Sequence, residues 1–104
     1  MFYVYQLYSQ KDKGFYIGYT TDIEERIKKH NNGEVVSTKD RRPLLETYRE
    51  RYISEKDAKG REKFLKSGAG RRFLKKQLKN TYKDLGIACW IDYEFYTVAK
   101  RLVY

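Results

Sequence analysis

Residues 15–30, FYIGYTTDIEERIKKH, set a strand signal directly before a helix signal, and that junction decides how the rest of the chain is read. Phe15, Tyr16, Ile17, Gly18, Tyr19 and Thr20 are mostly aromatic and β-branched types that suit a pleated, half-buried surface. Thr21 or Asp22 can cap the helix at about 22–30, and Glu24 and Glu25 in its first turn favour its dipole. Ile23, Ile27 and His30 follow at i, i+4 and i+7 and share one helix face, with Arg26 one turn before His30. A strand that delivers tyrosine and a helix that delivers arginine and histidine concentrate polar chemistry. This is the candidate active site.

Outward from the junction, FYVYQLY at 2–8 reads as a first strand, joined to the second through the turn residues 9–14. Strand periodicity puts Tyr3, Tyr5 and Leu7 on one face, and Phe2, Val4, Gln6 and Tyr8 on the other. Tyr16 and Gly18 share a face of the second strand, where a glycine marks a bulge or a close approach. Asn31, Asn32 and Gly33 stop the helix, because these residues tolerate a left-handed conformation. The following loop carries Lys39, Arg41 and Arg42, a basic edge, and residues 44–53 read as a third strand whose charges point to an edge position. Ser54 and Asp57 form a capping pair that opens a helix to about Lys66. Residues 67–70 break the pattern, and residues 71–80 form another helix with Phe73, Leu74 and Leu78 as its apolar positions. Residues 81–104 change character to aromatic and apolar. Their periodicity fits either a strand or a helix from about 91 to 102, and they read as an extension that packs on the domain or on a second subunit.

One hundred and four residues make a single domain with one modest core. Twenty-three Lys and Arg against fourteen Asp and Glu leave +9, which points to a polyanionic partner. Lys63, Lys66, Arg71, Arg72 and Lys75 lie in a run from 59 to 79 with nine basic residues and one acid, Glu62. Such a run reads as lacking i,i+4 acidic partners, so its face repels itself unless an anion binds. Cys89 is the only cysteine, which excludes an intrachain disulfide and a cysteine-based zinc site. No apolar run approaches the ~20 residues that cross a bilayer, and no signal-peptide pattern opens the chain, so an intracellular, cytoplasmic protein is expected.

Glu62 sits beside Ala58 and Leu65 on its helix, where a carboxylate must be paired, hydrogen-bonded or bound to metal. Together with Tyr3-Val4-Tyr5, Tyr16-Ile17-Gly18 eleven residues later, Arg26 and His30, it makes residues 1–80 resemble a GIY-YIG nuclease of the compact, single-domain bacterial type. That resemblance implies an α+β fold, a small three-stranded antiparallel sheet flanked by helices in the order ββαβαα. It also implies phosphodiester hydrolysis assisted by Mg²⁺ or Mn²⁺. By the resemblance, Glu62 would ligate the metal, Arg26 would stabilise charge on the scissile phosphate, and Tyr5 or Tyr16 would activate water. His30 would assist proton transfer, and Asn80, eighteen residues after Glu62, stands where the family often places an asparagine. Gly60 departs from good helix chemistry, at ~1 kcal/mol relative to alanine.

The leading expectation is therefore an endonuclease acting on DNA, in preference to RNA, or on structured nucleic acid, in repair or turnover, as a monomer or homodimer. Two rivals are a nucleic-acid-binding module that cleaves slowly or not at all, and a structural interaction domain without salt-dependent affinity for nucleic acid.

Overall fold

β1 (Phe2–Ser9) is buried from Val4 to its end because it is the middle strand of three. β2 (Phe15–Thr20) and β3 (Leu44–Tyr52) pair with it antiparallel on either side, giving the order β2-β1-β3. The structure, a computed structural model, describes residues 1–87. The expected tail strand or helix, and the expected packing of the tail on a partner, fall largely outside these residues. Between the strands lie α1 (Ile23–Asn31) and a single 3-10 turn (Lys39–Arg41), and after β3 come α2 (Glu55–Lys66), α3 (Gly68–Gln77) and α4 (Lys79–Asp84). The architecture is α+β, with the expected antiparallel sheet and one helix more than expected.

The alternation in β1 sends its side chains to two separate cores. Val4 and Tyr8 join Ile17 of β2 and then Ala58, Leu65, Leu74, Leu78, Tyr82 and Ile87 from the α2–α4 layer. Tyr5 and Leu7 face the other way, packing with Ile23 of α1 and Leu44 of β3. The sheet thus lies between α1 and the three C-terminal helices. Tyr82 and Ile87 are 1% and 0% exposed, so the large core runs past residue 80.

The β3 strand is an edge, as its charges indicated, and its inward charges are paired. Glu50 accepts hydrogen bonds from Arg61 of α2 at 2.9 and 3.0 Å and from Tyr52 at 2.6 Å. Burial alone would raise its pKa, but the donors, Arg61 first, outweigh that and hold it below the ordinary carboxylate value. Asp22 caps α1, accepting from the Glu25 amide at 3.2 Å. Ser54 caps α2 through the Asp57 amide.

Two expectations for the C-terminal helices need correction. The break after α2 is Ser67 alone, whose Oγ accepts from the Gly70 amide and starts α3 at once, and the helix expected over 71–80 divides at Leu78. Glycine is required at position 70 because α2 and α3 meet there: a Cβ would lie 2.0 Å from the Phe64 carbonyl oxygen. Phe73 is 38% exposed, with its ring T-shaped against Phe64 and the Arg61 guanidinium 4.7 Å above it. Leu74 and Leu78 alone fill the core from this stretch, because a short helix has room for one narrow buried stripe.

Gly60 and Gly70 predict opposite outcomes. A Cβ at Gly60 meets nothing within 4 Å, so Gly60→Ala should stabilise by roughly 0.5–1 kcal/mol. Gly70→Ala should destabilise by about 1–3 kcal/mol through the forced shift of backbone. Urea unfolding midpoints of both variants check this.

Candidate active site

Tyr5 and Tyr16 come from adjacent strands and point to the α1 side of the sheet. Tyr5 stands directly opposite Gly18 in the β1–β2 register, and Leu7 opposite Tyr16. Gly18 is what lets the Tyr5 ring lie flat across β2: a Cβ there would be 2.3 Å from the phenol oxygen and 2.4 Å from Cζ. The ring ends against His30 of α1, with Oη 2.7 Å from Nε2. Tyr16 flanks the same imidazole edge-on, its ring centroid 5.0 Å away and 6.3 Å from that of Tyr5. Arg26, one turn earlier on α1, donates from Nε to the Tyr5 oxygen at 3.4 Å. Of the four residues read from the 15–30 junction and from β1, Tyr5, Arg26 and His30 are joined by hydrogen bonds and Tyr16 packs its ring against Tyr5 and His30.

Burial governs the electrostatics of this cluster. His30 is 0% exposed, and burial first, with the Arg26 charge second, lowers its pKa to about 4. The imidazole expected to titrate near 6.5 is therefore neutral at neutral pH. Burial also pushes the Tyr5 phenol up to about 12, with the Arg26 hydrogen bond pulling the other way.

Glu62 belongs to α2, on the other side of the sheet, yet its charge contributes to raising both the Tyr5 and the Tyr19 phenols. Its ion-pair partner is Lys66, at 3.1 Å. No hydrogen bond joins it to Tyr5, Tyr16 or Arg26. Among the described residues no three His, Cys, Asp or Glu side chains gather to hold a metal. One carboxylate is a donor set that fits a hard divalent cation whose shell is completed by water and phosphate oxygens.

Asn80 is exposed in α4 and makes no hydrogen bond to the cluster. The basic residues divide into two kinds. Lys39, Arg42, Lys63, Arg71 and Arg72 are exposed. Arg41 is committed to Asp12 and to the Phe15 carbonyl. The expectation that the basic run lacks i,i+4 partners is corrected: Lys59 pairs with Glu55 and Lys66 with Glu62. On the α2–α3 side, Arg41, Lys66, Arg71 and Lys75 line a cleft of about 370 Å³ together with Lys13, which the sequence did not single out. The sequence also passed over Thr38, 0% exposed, whose Oγ1 lies 2.7 Å from His30 Nδ1. It sits in a loop without periodicity, so no pattern marked it.

A two-strand hairpin feeding a helix, with two phenols, a guanidinium and an imidazole gathered between them, defines a nuclease domain of the GIY-YIG type. A family model described as the GIY-YIG catalytic domain matches residues 1–84, and the chain belongs to that family. Domains of this family are nucleases that act on nucleic acid and generally use divalent metal ions. The chain is 40% identical over 74 residues to UPF0213 protein SH2523 of Staphylococcus haemolyticus, covering 70% of this chain and 89% of the relative. It is 40% identical over 67 residues to UPF0213 protein CPE1444 of Clostridium perfringens, covering 64% and 71%. A UPF0213 protein of Natronomonas pharaonis is 41% identical over 66 residues, covering 62% and 76%. No solved structure matches the chain. Among the described residues no helix is long and apolar enough to cross a membrane.

The lowered pKa of His30 has a consequence for stability. The unfolded imidazole takes up a proton near pH 6.5, whereas the folded one resists until about pH 4. The contribution is complete above 6.5, is lost as pH falls through that window, and levels off below 4. At about 1.4 kcal/mol per unit, the loss is on the order of 3 kcal/mol. Because His30 is the sole histidine, the slope of unfolding free energy between pH 6.5 and 5 should flatten in His30→Gln.

Proposed function

We propose that this protein is a divalent-metal-dependent endonuclease that hydrolyses phosphodiester bonds in DNA or structured nucleic acid, in repair or nucleic-acid turnover. The observation that carries this reading is the gathering of Tyr5, Tyr16, Arg26 and His30 into one cluster between the hairpin and α1.

In this reading each side chain has one task. A phenol serves as base only after giving up its own proton; His30 Nε2, 2.7 Å away, orients that proton but is too weak a base to take it at rest, so the phenol would first have to be lowered by the cation's charge. Because Tyr5 is fully enclosed, the water it serves is one drawn into the cluster with the phosphate. Tyr16, half-buried and packed against His30, positions that water or the phosphate. The Arg26 guanidinium meets the negative charge that grows on the phosphate with a rigid fork of donors. Glu62 is the residue that would hold Mg²⁺ or Mn²⁺, whose chemistry when bound is Lewis-acid stabilisation of phosphoryl charge. Lys66 is no obstacle, since an exposed i,i+4 ion pair is worth under about 1 kcal/mol and exchanges readily. Lys39, Arg42, Lys63, Arg71 and Arg72 supply exposed charge for the phosphate backbone, with Arg41, Lys66 and Lys75 along the cleft.

A binding module that cleaves slowly is favoured by one observation, the Tyr5 phenol held up at about 12. The two readings separate on branched, nicked, single-stranded and duplex DNA and RNA with Mg²⁺ or Mn²⁺, against chelator. Cleavage by the wild-type protein should stop with chelator. In Glu62→Ala it should fall by about 100-fold or more, a loss typical of removing one electrostatic stabiliser, while binding affinity stays within a few-fold. Tight, salt-sensitive binding with no metal-stimulated cleavage would leave the module reading instead.

A further inference from the structure

Thr38 does not do what a threonine in its position ordinarily does. It precedes the 3-10 turn Lys39–Arg41 as its N-cap, where a hydroxyl usually accepts a hydrogen bond from a following amide. Here the side chain makes no capping bond. It turns inward instead, to His30 Nδ1 at 2.7 Å, and both residues are 0% exposed.

The backbone around Thr38 is held for this contact. Its amide donates to the Val35 carbonyl at 3.1 Å, and the Arg41 amide donates to the Thr38 carbonyl at 2.9 Å. Ser9 Oγ at the end of β1 donates to the Arg41 carbonyl at 2.6 Å, and the Gln10 amide to the Pro43 carbonyl at 3.0 Å. The loop is therefore tied to the same strand that carries Tyr5. Thr38 and Tyr5 grip one imidazole from opposite edges.

The direction of the hydrogen bonds follows from the far end of the chain of contacts. Arg26 has no acceptor atom, so at the Tyr5 oxygen it can only donate. The buried Tyr5 O–H needs an acceptor of its own, and the one within reach is His30 Nε2. A phenol is also a stronger acid than an aliphatic hydroxyl, so it is the better donor to an imidazole lone pair. A neutral imidazole with Nε2 accepting carries its hydrogen on Nδ1, and that hydrogen points at Thr38 Oγ1. The groups facing the ring are then accounted for: Tyr5 from β1, Tyr16 from β2, Arg26 from its own helix and Thr38 from the loop.

We infer that Thr38 is a positioning residue that holds His30 in the Nδ1–H tautomer, keeping the Nε2 lone pair turned to the Tyr5 phenol. The tautomer rests on these contacts and on the greater acidity of the phenol, and on no catalytic activity. Its use in cleavage, as the acceptor that orients the Tyr5 proton, rests on the nuclease reading above. Thr38 acts through His30 and touches no reacting atom.

Having a single histidine makes the test direct. Protein labelled with ¹⁵N-histidine, free of metal and nucleic acid, is examined at neutral pH by two-bond ¹H–¹⁵N correlation, which distinguishes the protonated ring nitrogen from the bare one. The expected result is a protonated Nδ1 and a bare Nε2, the reverse of the form that histidine favours in water. Thr38→Ser should keep this pattern, since its hydroxyl can take the same place. Thr38→Val should lose it, with the ring passing to Nε2–H or to an average of the two forms. A protonated Nε2 in the wild-type protein overturns the proposal, and so does an unchanged pattern in Thr38→Val. Should the valine variant not fold, the wild-type spectrum and the serine variant still decide the assignment. Because neither cleavage nor metal enters the measurement, an inactive protein with the expected tautomer would count against the nuclease reading alone.

Discussion

A missing methyl group governs the arrangement of this protein. Tyr5 stands on the central strand, and its phenol reaches the neighbouring helix only because Gly18, directly opposite, has no side chain to stop the ring. Any Cβ at that position would occupy the space of Cζ and the hydroxyl. The ring must then tilt away, and with it goes the oxygen on which Arg26 and His30 converge. Glycine within a strand lowers its stability, and here the surrounding contacts offset that cost. Tyr5 is fully enclosed and packs with Leu7, Ile23 and Leu44.

The second constraint is that the sheet has two differently used faces. The larger core, under α2, α3 and α4, contains most of the apolar area and holds the domain together. The smaller one, under α1, gives part of its volume to hydroxyl, imidazole and guanidinium groups. Polar groups are costly to bury unless each finds a partner. Here Thr38, His30, Tyr5 and Arg26 are linked by hydrogen bonds in one continuous series. The same burial sets the cluster's chemistry by keeping His30 neutral and Tyr5 protonated at rest.

Charge is handled differently on the helical side. The excess of lysine and arginine is concentrated there, and part of it is engaged. Arg61 holds Glu50 while covering the rings of Phe64 and Phe73. Arg41 fastens the 39–41 turn to Asp12 in the β1–β2 loop. Counting basic residues therefore overstates the charge that is free to meet phosphate. The net field of +9 is unaffected by such pairing and still draws polyanions toward the molecule.

What the sequence by itself determined was everything local and periodic. The alternation in FYVYQLY assigned Tyr5 and Val4 to opposite faces, and the spacing of Ile23, Ile27 and His30 assigned one side of α1. Thr21 or Asp22, Ser54 and Gly33 marked element ends, and the ordered tripeptides with Arg26 and Glu62 identified the family. Only the tertiary structure decided which groups become partners. Thr38 and His30 are eight residues apart, Tyr5 and His30 twenty-five, and Asp12 and Arg41 twenty-nine. Such pairs are fixed when loops close and the strands register, so the residues themselves carry no mark of them. The outward turn of Phe73, the pairing of Lys66 with Glu62 and the depressed pKa of His30 belong to the same class. A residue's type limits what it can do, but its partner and its burial are set by the rest of the chain folded around it.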